Sequence, residues 1–284
     1  MPTVRGILSE ARQKLTRLPA SQTAAVLEAD LLLAYVLDVE RSFFYSNPES
    51  EPSWAQLERF NQLLQRRLGG EPVAYLLGQQ EFWSLALKVT AATLIPRPET
   101  ELLVELTLEK LSVTDKCRVA DLGTGSGAIA LALASERPQW QISATDISTD
   151  ALAVAEENRQ AHHLENVILL QGEWLDAVQG KFHAIVSNPP YIPADDRHLL
   201  AGDVRFEPEL ALTPGGDGLA SFRQISARAG EYLVAGGWLL FEHGYDQSDQ
   251  VQCMLLAAGM ENIETVQDLE GKDRVTIGQL PFTE

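Results

Sequence analysis

The chain has 284 residues, 45% of them hydrophobic and 22% charged, with Lys plus Arg at 22, Asp plus Glu at 40 and a formal net charge of −18. That length suits two domains, and the composition excludes extensive disorder, a collagen-like fibre and a disulfide mini-protein. The acid is concentrated, with 8 basic and 9 acidic side chains in residues 1–78 against 14 and 31 in residues 79–284, so a protein built to wrap a phosphate backbone is disfavoured and no stable nucleic-acid complex is expected.

Residues 3–78 read as helical. Ile7, Leu8, Ala11 and Leu15 share one face at helical spacing, and Val26, Leu27, Leu31, Leu32 and Tyr35 repeat that pattern over 22–37. Arg5, Arg12, Lys14 and Arg17 outweigh Glu10 near the start, in the manner of a transit peptide, but the segment reads as a solvated helix and has no signal-peptide apolar core. The longest apolar run, Leu31 to Leu37, is far short of the roughly 20 residues a bilayer span needs, so no membrane role is expected. Asn47-Pro48 and Glu51-Pro52 are loop punctuation. Ser53 is a candidate N-cap for a helix over 54–68 that Gly69-Gly70 stops, and Glu71 to Leu77 gives one more short helix. The result is a small helical bundle without a catalytic constellation.

Glu81 to Thr90 is apolar, partly alternating and rich in aromatic and β-branched residues, which predicts a hairpin bridging two domains. Pro98 suits the first turn of a helix running to about Leu111, with acids at its positive end. From Cys117 strands and helices alternate. Strands are predicted at 117–122, 141–146, 167–171, 182–187, 236–241, 262–269 and 274–280, and helices at 126–137, 149–161, 220–234 and 247–258. The last two strands flank Gly271-Lys272-Asp273, a tight turn. The pattern is an open α/β sheet that binds ligands beyond its strand carboxyl ends. Cys117 and Cys253 are too few for a disulfide framework or a zinc site and read as buried small hydrophobes in a reducing, cytoplasmic setting. His162, His163, His183, His198 and His243 show no metal-ligand spacing, so no metal is expected.

Asp121-Leu122-Gly123-Thr124-Gly125-Ser126-Gly127 carries a buried strand into a glycine-rich turn that opens a helix, and Asp146 ends the next strand 19 residues beyond Gly127. An acid there can accept hydrogen bonds from both hydroxyls of a ribose. The order is G-x-G-x-G with a carboxylate just before it, whereas dinucleotide sites favour G-x-G-x-x-G for a pyrophosphate. Asp121 would repel a pyrophosphate and can help hold an ammonium group. S-adenosylmethionine has an ammonium, a sulfonium and a ribose but no phosphate, and the pattern resembles the first motif of the Rossmann-like methyltransferases. Trp174, after the third of these strands, can pack against an adenine face or simply fill the core.

Ser187-Asn188-Pro189-Pro190-Tyr191 closes the fourth strand, because proline forces the chain out of a central sheet position. The two prolines donate no N–H, so the segment offers carbonyl acceptors plus the Asn188 carboxamide, with the Tyr191 ring as a flat face. That set suits an –NH2 on a planar system. The Asn188 side-chain oxygen and the Pro189 carbonyl can take its two N–H bonds as the nitrogen pyramidalises, favouring the transition state and aiming the lone pair at a methyl carbon.

Together, residues 121–127 and 188–191 resemble amino-group methyltransferases generally, including enzymes that act on exocyclic amines of DNA or RNA. The wider set, Pro72 to Gly78, Glu81-Phe82-Trp83, Leu94 to Glu101, Phe206-Glu207-Pro208 and Asp217-Gly218-Leu219, resembles the HemK-like release factor glutamine methyltransferases over nearly the whole chain. The resemblance implies a Rossmann-like seven-stranded methyltransferase sheet with a small N-terminal helical bundle and a bridging β-hairpin, divided as 1–78 and 79–284. It implies methylation of the side-chain amide of the glutamine in the Gly-Gly-Gln loop of class 1 peptide chain release factors. S-adenosylmethionine would lie on Gly123, Thr124, Gly125, Ser126, Gly127, Asp146, Trp174 and Asn188, with substrate on Asn188, Pro189, Pro190 and Tyr191 and the chemistry at Asn188, Pro189 and Tyr191. The helical domain would grip the release factor, and a monomer is expected. Arg97 and Glu101 are open between closing the pocket and tying the hairpin to the sheet.

Overall fold

Side-chain caps set the starts of two helices in the first 78 residues. In the computed structural model, which describes residues 1–18, 22–112, 116–200 and 202–282, α1 (Val4–Leu15) starts where Thr3 accepts from the Gly6 N–H. Residues 19–21, inside the span read as helical, lie outside the described residues. Next come α2 (Gln22–Leu37), α3 (Phe43–Ser46), α4 (Trp54–Leu68) and α5 (Val73–Leu77). Ser53 caps α4 through a reciprocal box with Gln56, worth about 1 kcal/mol, and α4 occupies the residues its cap predicts. Phe60, Leu64, Leu15, Leu32 and Leu33 fill this core.

The face assigned to α2 needs correction. Val26, Leu27 and Tyr35 are exposed, and Ala25, Ala29, Leu32, Leu33 and Val36 are buried. The helix is apolar around much of its circumference, so periodicity alone does not choose a face, and small alanines let α1 and α4 approach closely. Arg67 of α4 is buried, with a two-pronged bond to Glu28 (2.8 and 2.9 Å) and a third to Asp203 (2.8 Å). Asp203 belongs to Leu200–Phe206, a segment that packs with Met1–Gly78 as one compact unit.

The second unit comprises Gln79–Leu199 and Glu207–Glu284. Its hairpin, β1 (Gln79–Phe82) and β2 (Leu85–Lys88), turns at Trp83 and Ser84, both with positive φ (51° and 61°). A 3-10 turn at Pro98–Thr100 leads into α6 (Glu101–Lys110). Alternation follows through β3 (Arg118–Leu122), α7 (Ala128–Glu136), β4 (Gln141–Asp146), α8 (Thr149–Ala161), β5 (Val167–Gln171) and β6 (Phe182–Ser187). It continues with α9 (Glu209–Leu212), α10 (Ala220–Tyr232), β7 (Leu233–Glu242), α11 (Ser248–Ala257), β8 (Glu261–Gln267) and β9 (Asp273–Gln279). The seven-stranded sheet runs β5-β4-β3-β6-β7-β9-β8, parallel from β5 to β7 and antiparallel at β9 and β8. β3 lies between β4 and β6, so strand order reverses there and a crevice opens beyond the carboxyl ends.

Two expectations shift. β7 begins at Leu233 rather than at 236, because a bulge around Gly236 (φ 75°) lets an extra stretch pair with Phe182. Cys117 is buried, but Cys253 is exposed, since α11 buries only Val251 and Leu255. No helix among the described residues is long and apolar enough to cross a membrane.

Asn158 of α8 knits these parts together. It is buried, accepts from the Lys88 N–H (2.6 Å) and donates to the carbonyls of Lys88 (3.0 Å) and Ser126 (2.9 Å). Asn158→Ala strands three backbone groups, and we expect a loss of about 2–4 kcal/mol in unfolding free energy, measured by urea denaturation of the full chain.

Candidate active site

Three strand ends converge on the crevice. Beyond β3, the Gly123 and Thr124 N–H groups both donate to the Thr145 carbonyl of β4 (2.9 and 2.8 Å), which pulls the glycine loop over the neighbouring strand. Gly123 turns at φ 74°, and a Cβ there would meet the Trp174 ring at 3.1 Å, so only glycine lets the indole lie on the loop. At the end of β4, Asp146 accepts from the Gly125 N–H through Oδ2 and from the Ser148 N–H through Oδ1, each at 2.9 Å. Ser148 in turn caps α8. Trp174 donates its indole N–H to Gln224 (2.8 Å), which fixes the ring plane. At the end of β6, the Ser187 hydroxyl donates to the Leu122 carbonyl (2.7 Å), and Asn188 donates from Nδ2 to the Thr100 hydroxyl oxygen (3.2 Å).

These groups surround a cavity of about 320 Å³, at the lower end of ligand-sized pockets. Gly123, Thr124, Gly125, Ser126, Asp146, Trp174, Asn188 and Pro190 all line it. Four expected residues have other placements. Gly127 starts α7 at φ 87° and does not line the wall. Pro189 is buried off the wall. The half-buried Tyr191 packs against the apolar core beneath the crevice and does not line the cavity; its hydroxyl lies 3.5 Å from Glu242 and its carbonyl accepts from Gln247 (2.9 Å), so the ring does not form the flat face expected of it. Asp121 is fully buried and bonds the Thr124 hydroxyl (2.6 Å), so it braces the loop from beneath and cannot meet an ammonium group in the cavity.

Arg97 and Glu101 do not line the cavity and bond within the segment around it. Glu207 accepts from Arg97 and from the Ile95 N–H (3.0 Å), and Glu101 accepts from the Trp83 N–H at the hairpin turn (2.8 Å). Pro96 and Thr100 of the same segment line the cavity, as do Pro208, Leu210 of α9, Thr213 and Gln224 of α10. Phe206-Glu207-Pro208 is legible in the sequence only through a family resemblance. Glu242, an acid ending an otherwise apolar strand, is a signal the sequence does offer and that the motifs pass over.

Electrostatics narrow the ligand. Among the described residues, the charged side chains on the wall are Asp146 and Glu173, and no Lys, Arg or His lines it. A phosphate would find no counter-charge, whereas a ribose and a cationic ligand fit. Each Asp146 oxygen spends one acceptor position on the backbone and keeps another for a hydroxyl. Desolvation pushes the Asp121 carboxyl up to about 7 against the pull of its Thr124 bond, and pushes Glu242 to about 7 in the same way. Among the described residues no three His, Cys, Asp or Glu side chains gather into a metal-sized cluster.

Comparisons with known proteins agree in kind. The family model for a methyltransferase small domain matches residues 99–217, and that for a PrmC N-terminal domain matches residues 7–78. A release factor glutamine methyltransferase of Pseudomonas aeruginosa is 52% identical over 94% of this chain and 96% of its own. One from Xylella fastidiosa is 47% identical over 99% of each. The crystal structure of a methyltransferase from Pyrococcus furiosus covers 78% of this chain and 100% of its own at a TM-score of 0.55 and 16% identity, a likeness of fold.

The raised Asp121 carboxyl gives a signed pH dependence. Between its ordinary value of 3.8 and about 7 the folded chain keeps a proton that the unfolded chain releases, so stability falls as pH rises across that window. One such proton costs about 1.4 kcal/mol for every pH step of one across the window. Asp121→Asn should flatten the fall, read from denaturation midpoints between pH 4 and 8.

Proposed function

We infer the activity from membership: the chain belongs to the release factor glutamine methyltransferase family, and it transfers a methyl group from S-adenosylmethionine to the side-chain amide nitrogen of a glutamine in a peptide chain release factor. The acceptor is the glutamine of the Gly-Gly-Gln loop of class 1 factors, and the enzyme works as a cytoplasmic monomer with no stable nucleic-acid or membrane partner. The observation that carries the reading in this chain's own geometry is the Asn188 carboxamide. Its nitrogen is committed to Thr100, so its oxygen is the atom left to face an acceptor N–H.

When bound, S-adenosylmethionine supplies a methyl carbon made electrophilic by its sulfonium. The residues of the chain do the rest by binding and orientation. Asp146 offers two carboxylate oxygens to ribose hydroxyls, Trp174 offers its face to the adenine, and Gly123 and Gly125 keep side chains out of the way. A wall free of cations leaves the positive charge of the donor unopposed.

An amide nitrogen is a weak nucleophile because its lone pair is delocalised into the carbonyl. Asn188 Oδ1, on the cavity wall, accepts one of its N–H bonds in the arrangement the pyramidal nitrogen requires, a preference for the transition state over the flat ground state. No base is needed beforehand, since the methylated nitrogen becomes strongly acidic and releases its proton to water. Pro190 shapes the wall beside Asn188, and Tyr191 holds the segment from behind through Glu242.

Incubation with labelled S-adenosylmethionine and a release factor should place one methyl group on the loop glutamine by peptide mapping. A factor with that glutamine changed to alanine should take no label. Equal labelling of both factors, or label on DNA or RNA and none on protein, would replace the reading with one of exocyclic amine methylation. Asn188→Ala should lose about 100- to 1000-fold in turnover while keeping at least weak cofactor binding, measured by single-turnover transfer and calorimetry.

A further inference from the structure

Trp174 sits in a backbone conformation that an aromatic residue seldom adopts. Its φ is 47°, in the left-handed region where a Cβ crowds the chain, and such a residue persists only where its surroundings over-determine it. Three segments do so here. The buried Thr145 of β4 donates its hydroxyl to the Trp174 carbonyl (3.1 Å). Gly123 leaves room for the indole, which a Cβ there would meet at 3.1 Å. Gln224 of α10 accepts the indole N–H at 2.8 Å. Trp174 packs against the core and still lines the cavity, so the plane in which it is held is one that a ligand meets.

Gln224 does more than hold the ring. The indole N–H only donates, so the carboxamide must meet it with its oxygen, Oε1. That leaves Nε2 and its two N–H donors at the other end of the amide, where they meet no acceptor among the described residues. Ala220, Ser221 and Gln224 line the cavity together, one face of α10 turned to it. Gln224 is also exposed, which puts it at the cavity rim beside the indole edge. The charged side chains of the wall, Asp146 and Glu173, can only accept as carboxylates. Three described side chains on the wall carry an N–H. Trp174 spends its own on Gln224, and Asn188 bonds Thr100 through its nitrogen. Gln224 is the third, and its pair is unspent. A purine ring presents acceptor nitrogens at its edge, which carboxylates cannot satisfy and an amide N–H can.

Resting on the reading of this cavity as an S-adenosylmethionine site, we propose that Gln224 is a cofactor-recognition residue. Its oxygen holds the Trp174 ring, and its nitrogen donates to a ring nitrogen of the adenine that lies on that ring. One side chain thereby sets the plane of the base and reads its edge. The direction of the amide is fixed by Trp174 before any ligand arrives, so the donor end is already turned for use. Stacking alone accepts any flat base, and the added donor selects one with an acceptor at that edge.

The test measures binding of S-adenosylhomocysteine to the full chain by calorimetry, so no methyl transfer is needed, together with the thermal midpoint of the unliganded protein. Three analogues each replace one adenine ring nitrogen, N1, N3 or N7, by C–H. Wild type should bind at least one of them about 3- to 10-fold more weakly than the parent compound, the effect of one neutral hydrogen bond. Gln224→Leu should erase that difference. It should also bind the parent about 10- to 100-fold more weakly, since ring placement and donor are lost together, with a thermal midpoint within about 2 °C of wild type. Gln224→Glu keeps an acceptor for Trp174 but has no donor, and should weaken binding about 3- to 10-fold. Equal affinity of wild type for the parent and all three analogues overturns the proposal, and that result needs no variant to fold. A difference that persists in Gln224→Leu overturns it too, as does wild-type affinity in either variant. Failure of the wild-type chain to bind S-adenosylhomocysteine at all would instead reject the cofactor reading itself, so the two failures stay distinct.

Discussion

Asp146 is the constraint on which the site depends. One carboxylate at the end of β4 holds the glycine loop through Gly125 and the start of α8 through Ser148, so two independent chain segments take their positions from a single side chain. Its burial raises its pKa, because removal from water disfavours the charged form, and its bonds from the Ser148 and Gly125 N–H groups pull the other way. The same group that organises the crevice is therefore the one whose remaining lone pairs face the cavity. Replacing it would disturb the architecture of the crevice together with any recognition proposed for this carboxylate, which makes Asp146 a poor residue for separating the two.

Around that anchor the second unit builds its walls by pairing loops with buried or half-buried carboxylates. Glu207 gathers the Ile95 backbone and Arg97, the half-buried Glu101 holds the Trp83 turn, and the buried Glu242 takes the Tyr191 hydroxyl. Three acids act internally in this way, so the marked excess of acid in residues 79–284 is partly architectural.

The sheet and the glycine loop were legible in the sequence because local rules act alone there: buried β-rich runs, glycines at a strand end, an acid at the next strand end. The start of α4 was legible for the same reason, since Ser53 and Gln56 lie three residues apart and need no tertiary partner. Expectations failed where tertiary context decides. The buried face of α2 depends on which neighbours accept alanine, and the exposure of Cys253 depends on how α11 lies on the sheet. Tyr191 has the chemistry of a stacking platform, but its ring packs against the apolar core and its hydroxyl meets Glu242, a residue 51 positions on. The partner of Arg97 lies 110 residues away, and no short motif could have announced it.

The discontinuous make-up of the helical unit has an engineering consequence. A transplant ending at Gly78 would carry Arg67 with Glu28 but leave Asp203 behind, and would strip Arg205 from the Gly69 carbonyl. The excised piece would thus expose one face of a guanidinium that the intact chain keeps covered. For this protein the natural cassette is two stretches of sequence, and chimeras designed on a single cut inherit an unfinished surface.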